Sequence, residues 1–391
     1  MSQPPRTDWA AVGMAVLAGI TAAAHIGKLP PALPGIRDEL GIGLVAGGFV
    51  ISLFNALGMT LAALVGGMAD RLGRARLVAA GFAALMLGGV LGAAAQGLPL
   101  MLVSRFVEGV GFIAVSVALP AVISAAVAPH DRPLALGIWS VYTPAGMALA
   151  LLAAPLALEV LGWRGMWLGI VLLCLPVGIG VRQAMRRVDL PPQAPGRFHL
   201  MLAESLRRPG LVLLAAIFLA YAFQWVTLMV WLPTFLTDSL GLSLQAASLA
   251  TAMVVLVNVP GCLSGGWLMR RGLPARRLIL TGSAVMGAAA VGIFLPALPD
   301  AGRIGLCLAF SFFGGLIPPS LFGSVPSQAP TPSHLGAANG MIMQGSSLGQ
   351  FAGAPLVAAT VSLAGGDWRF ALIPMLALCA GAVLAGARLG R

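Results

Sequence analysis

Gly66-Gly67-Met68-Ala69-Asp70-Arg71-Leu72-Gly73-Arg74 stands between two long apolar runs, and the chain then repeats the arrangement. Gly265-Gly266-Trp267-Leu268-Met269-Arg270-Arg271-Gly272 stands between two more, 199 residues further on. Phe106, Gly109 and Pro120 return as Phe312, Gly315 and Pro326 at an offset of 206, and Trp163-Arg164 returns as Trp368-Arg369 at 205. Offsets this similar, near half the chain length, indicate one membrane unit duplicated in parallel. Two matching membrane halves enclose a substrate path between them. The repeat therefore points to a carrier.

Composition agrees. Of 391 residues 59% are hydrophobic and 9% charged, whereas about a quarter of a soluble domain is charged. Apolar runs recur along the whole length, each of the roughly 20 residues that cross a hydrocarbon core. The 51 glycines and 28 prolines suit membrane helices that pack closely and bend. The net charge of +11 is carried by arginines in alternate loops. That is a topology signal, and it excludes a nucleic-acid surface. Cys174, Cys262, Cys307 and Cys379 all fall inside apolar runs without metal-ligand spacing and read as small buried hydrophobes. The first apolar run lacks a cleavage site and reads as a retained helix.

Twelve helices are expected, near 9–36, 43–66, 76–96, 99–127, 133–158, 163–183, 209–237, 244–268, 276–296, 302–327, 335–363 and 368–388. They form an all-α membrane protein of two six-helix bundles, 1–183 and 209–391, joined by a polar linker over 184–208. Loops on the side of the termini hold 17 arginines, and the opposite side holds five cationic residues. The asymmetry puts both termini in the cytoplasm and the chain in a bacterial-type inner membrane.

Gly66-x-x-Ala69-Asp70-Arg71-x-Gly73-Arg74 resembles the signature loop between helices 2 and 3 of the major facilitator superfamily. The resemblance extends over nearly the whole chain through its twelve helices and basic central loop. It implies two halves that rock about a central cavity. It also implies that Gly66, Asp70, Arg71, Gly73 and Arg74 form a cytoplasmic latch, Asp70 meeting a helix N-terminus across the interface, where a carboxylate gains about 0.3–1 kcal/mol. Met269 replaces the aspartate in the second copy, so a weaker or absent second latch is expected. Pro31-Ala32-Leu33-Pro34-Gly35-Ile36-Arg37, Leu119-Pro120-Ala121-Val122-Ile123, Arg132-Pro133-Leu134-Ala135-Leu136-Gly137-Ile138-Trp139-Ser140 and Val230-Trp231-Leu232-Pro233 look like the cyanate-permease branch, which includes permeases proposed for small anions.

Charges inside a spanning helix cost about 2.5–3.5 kcal/mol each, so they mark function. His25 and Lys28 lie three apart on helix 1, and Arg105 and Glu108 three apart on helix 4, each pair on one face. In the resembled fold both helices line the cavity. Lys28 and Arg105 are the expected anion site, Arg able to give two parallel hydrogen bonds. Glu108 is the expected proton carrier: an anion on Arg105 loosens the Arg105–Glu108 pair and lets Glu108 take a proton. His25 is the second candidate carrier. The competing structural reading makes Arg105–Glu108 a permanent ion pair and lets Lys28 snorkel to the surface.

The second half has no charge deep in a helix. Its candidates are uncharged: Tyr221, Gln224 and Trp225 on helix 7, Asn258 on helix 8, and Asn339, Met343, Ser346 and Gln350 along one face of helix 11. Helix 5 adds Trp139, Tyr142 and Thr143. Aromatics with a few amides suit a cavity gripping an organic substrate; the alternative is helix–helix hydrogen bonding. Pro144 and Pro318-Pro319 are expected to bend helices beside it.

The expected function is proton-coupled uptake of a small organic or inorganic anion by a monomer, with substrate, protons and lipid as its partners and no cofactor or metal. The alternative is proton-driven efflux of drugs or metabolites, which the latch loop allows. Thr143-Pro144-Ala145-Gly146 lacks the Gly-Pro-x-x-Gly run of drug exchangers. A membrane enzyme would need intramembrane metal or haem ligands, and only His25 among four histidines is placed for that.

Overall fold

The computed structural model describes residues 7–42, 46–47, 49–56, 58–60, 73–188, 198–295 and 298–389; among these the chain is helical with short connections and no strand. In the first half α1 (Trp9–Gly27) and α2 (Leu29–Leu40) form one bent rod. They are followed by α3 (Phe49–Thr60, described at 49–56 and 58–60), α4 (Arg74–Ala93), α5 (Leu98–Ala126), α6 (Arg132–Trp139) and α7 (Tyr142–Met185). The 44 residues of α7 contain two membrane crossings, because Gly162 (φ 64°, ψ 179°) breaks the helix between them. A short helix, α8 (Phe198–Leu206), lies in the stretch read as linker. The second half comprises α9 (Pro209–Leu240), α10 (Leu244–Arg270), α11 (Ala275–Phe294), α12 (Asp300–Gly314), α13 (Ile317–Gln328), α14 (Leu335–Leu363) and α15 (Leu372–Arg388).

Among the described residues ten helices are long and apolar enough to cross a membrane. α14 has the length but carries Asn339, Gln344, Ser346, Ser347 and Gln350, which lower its apolarity. The second expected helix, 43–66, lies partly outside the described residues. Leu172, Leu173, Ile373 and Leu384 are exposed on the outer surface, costly in water and natural against lipid.

The duplication is visible in the backbone. Gly41 and Gly241 end their helices at φ 64° and 65°, and Gly73 and Gly272 both adopt φ 91°. The latter are 199 residues apart, the offset of the repeated loop. Only glycine takes these angles without strain.

Close approach of helices replaces the hydrophobic drive that lipid does not supply. Gly345, Gly349 and Gly353 recur every fourth residue of α14 and lie directly on the backbone of α9, at Ala215, Leu219 and Phe223. Prolines set the bends. α6 stops at Trp139 and α7 resumes at Tyr142, just before Pro144; α12 stops at Gly314 and α13 resumes at Ile317, before Pro318-Pro319. Proline gives no N–H to the preceding turn, which frees a carbonyl and lets the helix turn aside.

Candidate functional site

A cavity of about 600 Å³ lies between the two halves. Its walls come from α1–α3, α5 and the start of α7 on one side, and from α9, α10, α13 and α14 on the other. Leu33, Phe49, Trp231 and Pro355 line it at the helix ends far from the termini. Toward the termini the halves close. Gly137 of α6 and Gly266 of α10 touch so tightly that a Cβ on Gly137 would stand 2.5 Å from the Gly266 Cα. Asp131 Oδ1 and Arg270 Nη2 pair across the same seam at 3.0 Å. Gln344 Nε2 donates to the Thr60 carbonyl at 3.4 Å, joining α14 to α3.

Behind the cavity wall stands a charge cluster made by α1 and α5. Glu108 is fully buried and receives three donors. Lys28 Nζ lies 2.5 Å from Oε1, and His25 Nδ1 lies 2.9 Å from the same oxygen. Arg105 Nη1 donates to Oε2. One tautomer satisfies the imidazole: Nδ1–H donates to Glu108, and Nε2 accepts the Cys174 thiol, whose sulfur is 3.5 Å away. The Lys28 ammonium also sits over the Trp167 ring at 4.3 Å, and the Arg105 guanidinium over Phe54 at 4.5 Å. Gly88 lets α4 close the back: a Cβ there would stand 2.6 Å from Glu108 Cγ. With His25 neutral the cluster carries a formal charge of +1.

Arg105 is the member that reaches the cavity. Its Nε donates to the Val50 carbonyl at 3.3 Å, and Nη1 also donates to the His25 carbonyl at 3.0 Å. Among the described residues no hydrogen bond joins Nη2; the side chain is 1% exposed, so the guanidinium meets the cavity only narrowly while its other nitrogens are tied down.

Of the residues singled out in the sequence, Arg105, Tyr142, Trp225, Asn258 and Gln350 line the cavity. Lys28, His25, Glu108, Trp139 and Gln224 do not, and each is fully buried or nearly so. Lys28 does not snorkel to the surface: it is sealed against Glu108 and Trp167 because an uncompensated ammonium would be costly there. Trp139 stacks beneath Tyr142 at 4.3 Å between ring centres. Gln224 Nε2 turns back to the Ala220 carbonyl. Ser346 and Gln350 line the cavity, whereas Asn339 and Met343 from the same expected stripe are buried elsewhere. Pro144 and Pro318 are on the wall.

Phe54, Phe218, Phe322 and Phe351, absent from the expected site, are on the wall, as is Trp231, noted in the sequence only as part of a resemblance. Phe218, Tyr221, Trp225 and Val226 follow helical spacing on α9, a stripe readable in the sequence. In the loop motif, Gly66, Asp70 and Arg71 lie outside the described residues. Gly73 makes the turn into α4, and Arg74 is buried at its start. At the second copy, where Met269 replaces the aspartate, the neighbouring Arg270 pairs with Asp131 across the seam. Thr7 Oγ1 donates to Asp131 Oδ2 at 2.7 Å and holds the acceptor in place.

Comparison with known proteins places this architecture. The chain is 30% identical over 247 residues to the human protein spinster homolog 1, covering 60% of this chain and 44% of that one. It thus spans less than half the length of that relative. The Bacillus subtilis hexuronate transporter is 23% identical over 349 residues, covering 83% of this chain and 81% of that one. Among solved structures, the human organic anion transporter MFSD10 superposes with a TM-score of 0.80 at 17% identity, covering 97% of this chain and all of that one. The E. coli fucose:proton symporter FucP superposes with 0.77 at 16%, covering 97% and 99%. The sequence model of the major facilitator superfamily matches residues 12–332. With that match and the paired helical halves about a cavity, the chain belongs to the major facilitator superfamily, a family of multi-pass membrane transporters and not of enzymes.

Proposed function

We propose that this secondary transporter takes up an organic anion together with protons by alternating access, in the conformation open away from the termini. The carrying observation is Arg105, a nearly buried cation on the cavity wall with Glu108 tied to its Nη1. An anion at Nη2 draws the guanidinium forward, weakens its hold on Glu108 and leaves room for a proton there. Lys28 acts from behind, adding positive potential without touching the substrate. The hexuronate relative supports an anion by its name, as does the resemblance to the cyanate-permease branch. The latch over Gly66, Asp70, Arg71, Gly73 and Arg74 joins the Asp131–Arg270 pair in closing the cytoplasmic end. Inner-membrane residence with cytoplasmic termini and a monomeric state belong to the same reading.

The test is uptake into proteoliposomes under an imposed pH gradient. Arg105→Ala abolishes anion uptake, and Glu108→Gln loses gradient-driven accumulation while exchange of anion for anion persists. Full accumulation by Glu108→Gln refutes the proton role; wild-type uptake by Arg105→Ala refutes the anion site. Proton-driven efflux of drugs or metabolites remains the second reading, favoured by the mostly apolar wall. Direction under one gradient distinguishes the two: an inward proton gradient drives a symported anion in and an antiported substrate out.

A further inference from the structure

The walls of the cavity are unevenly furnished. Nine aromatic side chains line it, more than a third of those in the chain. Six belong to the second half: Phe218, Tyr221, Trp225, Trp231, Phe322 and Phe351. The cation comes from the first half alone. The polar groups are few, and several of them are spent within the protein. Asn258 Nδ2 donates to Tyr221 Oη at 3.3 Å and to the Ser311 carbonyl at 2.7 Å. Gln350 Nε2 donates to Ser346 Oγ at 3.1 Å, and Trp231 Nε1 to the Ala354 carbonyl at 3.1 Å. A sugar acid would meet mostly rings where its several hydroxyls need partners, and each hydroxyl left unpaired would weaken binding. A few-atom anion would leave most of the cavity unfilled, since about 300–1,000 Å³ is the size of a drug-sized site.

Resting on the anion reading above, we infer that the substrate is a monoanionic aromatic acid. Its carboxylate or sulfonate sits at Arg105 and its flat apolar body against the rings of the second half. A single cation on the wall selects one negative charge, because a second charge would be desolvated without a partner. Rings stack in offset or edge-on geometry, a preference beyond buried area that separates an aryl body from an alkyl chain. The ligand thereby bridges the halves, head on one and body on the other.

The experiment is equilibrium binding to the purified full chain, read by tryptophan fluorescence and by thermal unfolding. The probes are 2-naphthoate, 2-naphthamide, decanoate, naphthalene-2,6-dicarboxylate and glucuronate. The expected order puts 2-naphthoate first, with the amide, the alkyl acid and the diacid each weaker by about tenfold or more, a difference of about 1.4 kcal/mol, and glucuronate not saturating. Arg105→Ala weakens 2-naphthoate at least about tenfold and leaves the amide unchanged. Trp225→Ala brings 2-naphthoate down to the level of decanoate. Glucuronate or decanoate binding as tightly as 2-naphthoate overturns the aromatic class while leaving the anion site standing. Indifference of every anion to Arg105→Ala overturns the anion site itself. The ranking on the unaltered protein decides the class even where a variant fails to fold.

Discussion

Gly266→Val should push the transporter out of the conformation described here. A Cβ on Gly266 would stand 2.7 Å from the Gly137 Cα and 3.0 Å from the Pro133 carbonyl oxygen, where ordinary contact begins at 3.4 Å. Both neighbours are backbone, so no rotamer change relieves the clash, and α6 and α10 must part by about 1 Å in a close-packed seam. Overpacking of this kind costs about 1–3 kcal/mol. The cost falls only on the state in which the seam is closed, so the equilibrium moves by about 5- to 150-fold toward the state open at the terminus end. The assay places a cysteine at Ser346, on the cavity wall, with the buried Cys174, Cys262, Cys307 and Cys379 replaced. A membrane-impermeant maleimide is then added on the side away from the termini. The valine variant should label more slowly, by up to that factor, while its helical content stays unchanged. Equal labelling of the two proteins would show that the seam does not control access, and the reasoning from the glycine pair would fail.

Asp131→Asn keeps the Thr7 contact but breaks the ion pair with half-exposed Arg270. It should move the same equilibrium in the same direction by a smaller amount, about 0.2–1 kcal/mol, an effect that high salt erases in the parent protein; spin-label distances across the seam measure it. Gly349→Ala sets a methyl against the Leu219 carbonyl and should destabilise the folded protein by about 1–3 kcal/mol, seen in thermal unfolding. Glu39, outside the spans, accepts from Trp163 Nε1 at 2.5 Å and from Arg164, and these bonds hold its carboxyl below the ordinary 4.5. A carboxyl lowered on folding binds its proton more readily when unfolded, so its contribution is present above the ordinary value and fades as pH falls through the lowered one. Thermal unfolding should therefore show an acid-side loss of stability below about pH 4.5 that Glu39→Gln lacks.

The sequence made the membrane fold legible because apolar length and a repeated loop are one-dimensional signals. Gly66 and Gly265 announce the duplication without any contact being known, and the paired angles at Gly73 and Gly272 agree with it. The four charged residues were legible too, since ionisable groups at such depth are rare. Their arrangement was not. Helical spacing joins His25 with Lys28 and Arg105 with Glu108, and the second pair is made within α5, but His25 and Lys28 both reach Glu108 from the other helix. Which of two cations faces the cavity is set by the rotation of α1 against α5, and the sequence holds no one-dimensional trace of it. The aromatic stripe on α9 was readable in period, yet it resembles any buried helix face until the opposite wall is known. The Asp131–Arg270 pair joins residues 139 apart and depends on how two bundles meet, which no local pattern encodes.

The duplication also shows how the two halves came to divide the chemistry. At the offset of 206 that relates Phe106 to Phe312, Arg105 corresponds to Ser311 and Glu108 to Gly314. At the offset of 200 that relates Gly41 to Gly241, His25 corresponds to Trp225 and Lys28 to Leu228. The same helix pair therefore meets in both halves, with opposite contents. In the first half His25 reaches Glu108 inside an ionic cluster. In the second Trp225 Nε1 donates to Ser311 Oγ at 3.1 Å, a neutral bond between an aromatic ring and a hydroxyl. A cavity flanked by two ionic clusters would desolvate twice the charge and repel its own second cation. One flanked by two neutral pairs would lack the cation on which the proposed anion site rests. Placing the charge on one side and the rings on the other meets the desolvation cost once, and gives a substrate with distinct ends a defined orientation across the interface that must open and close.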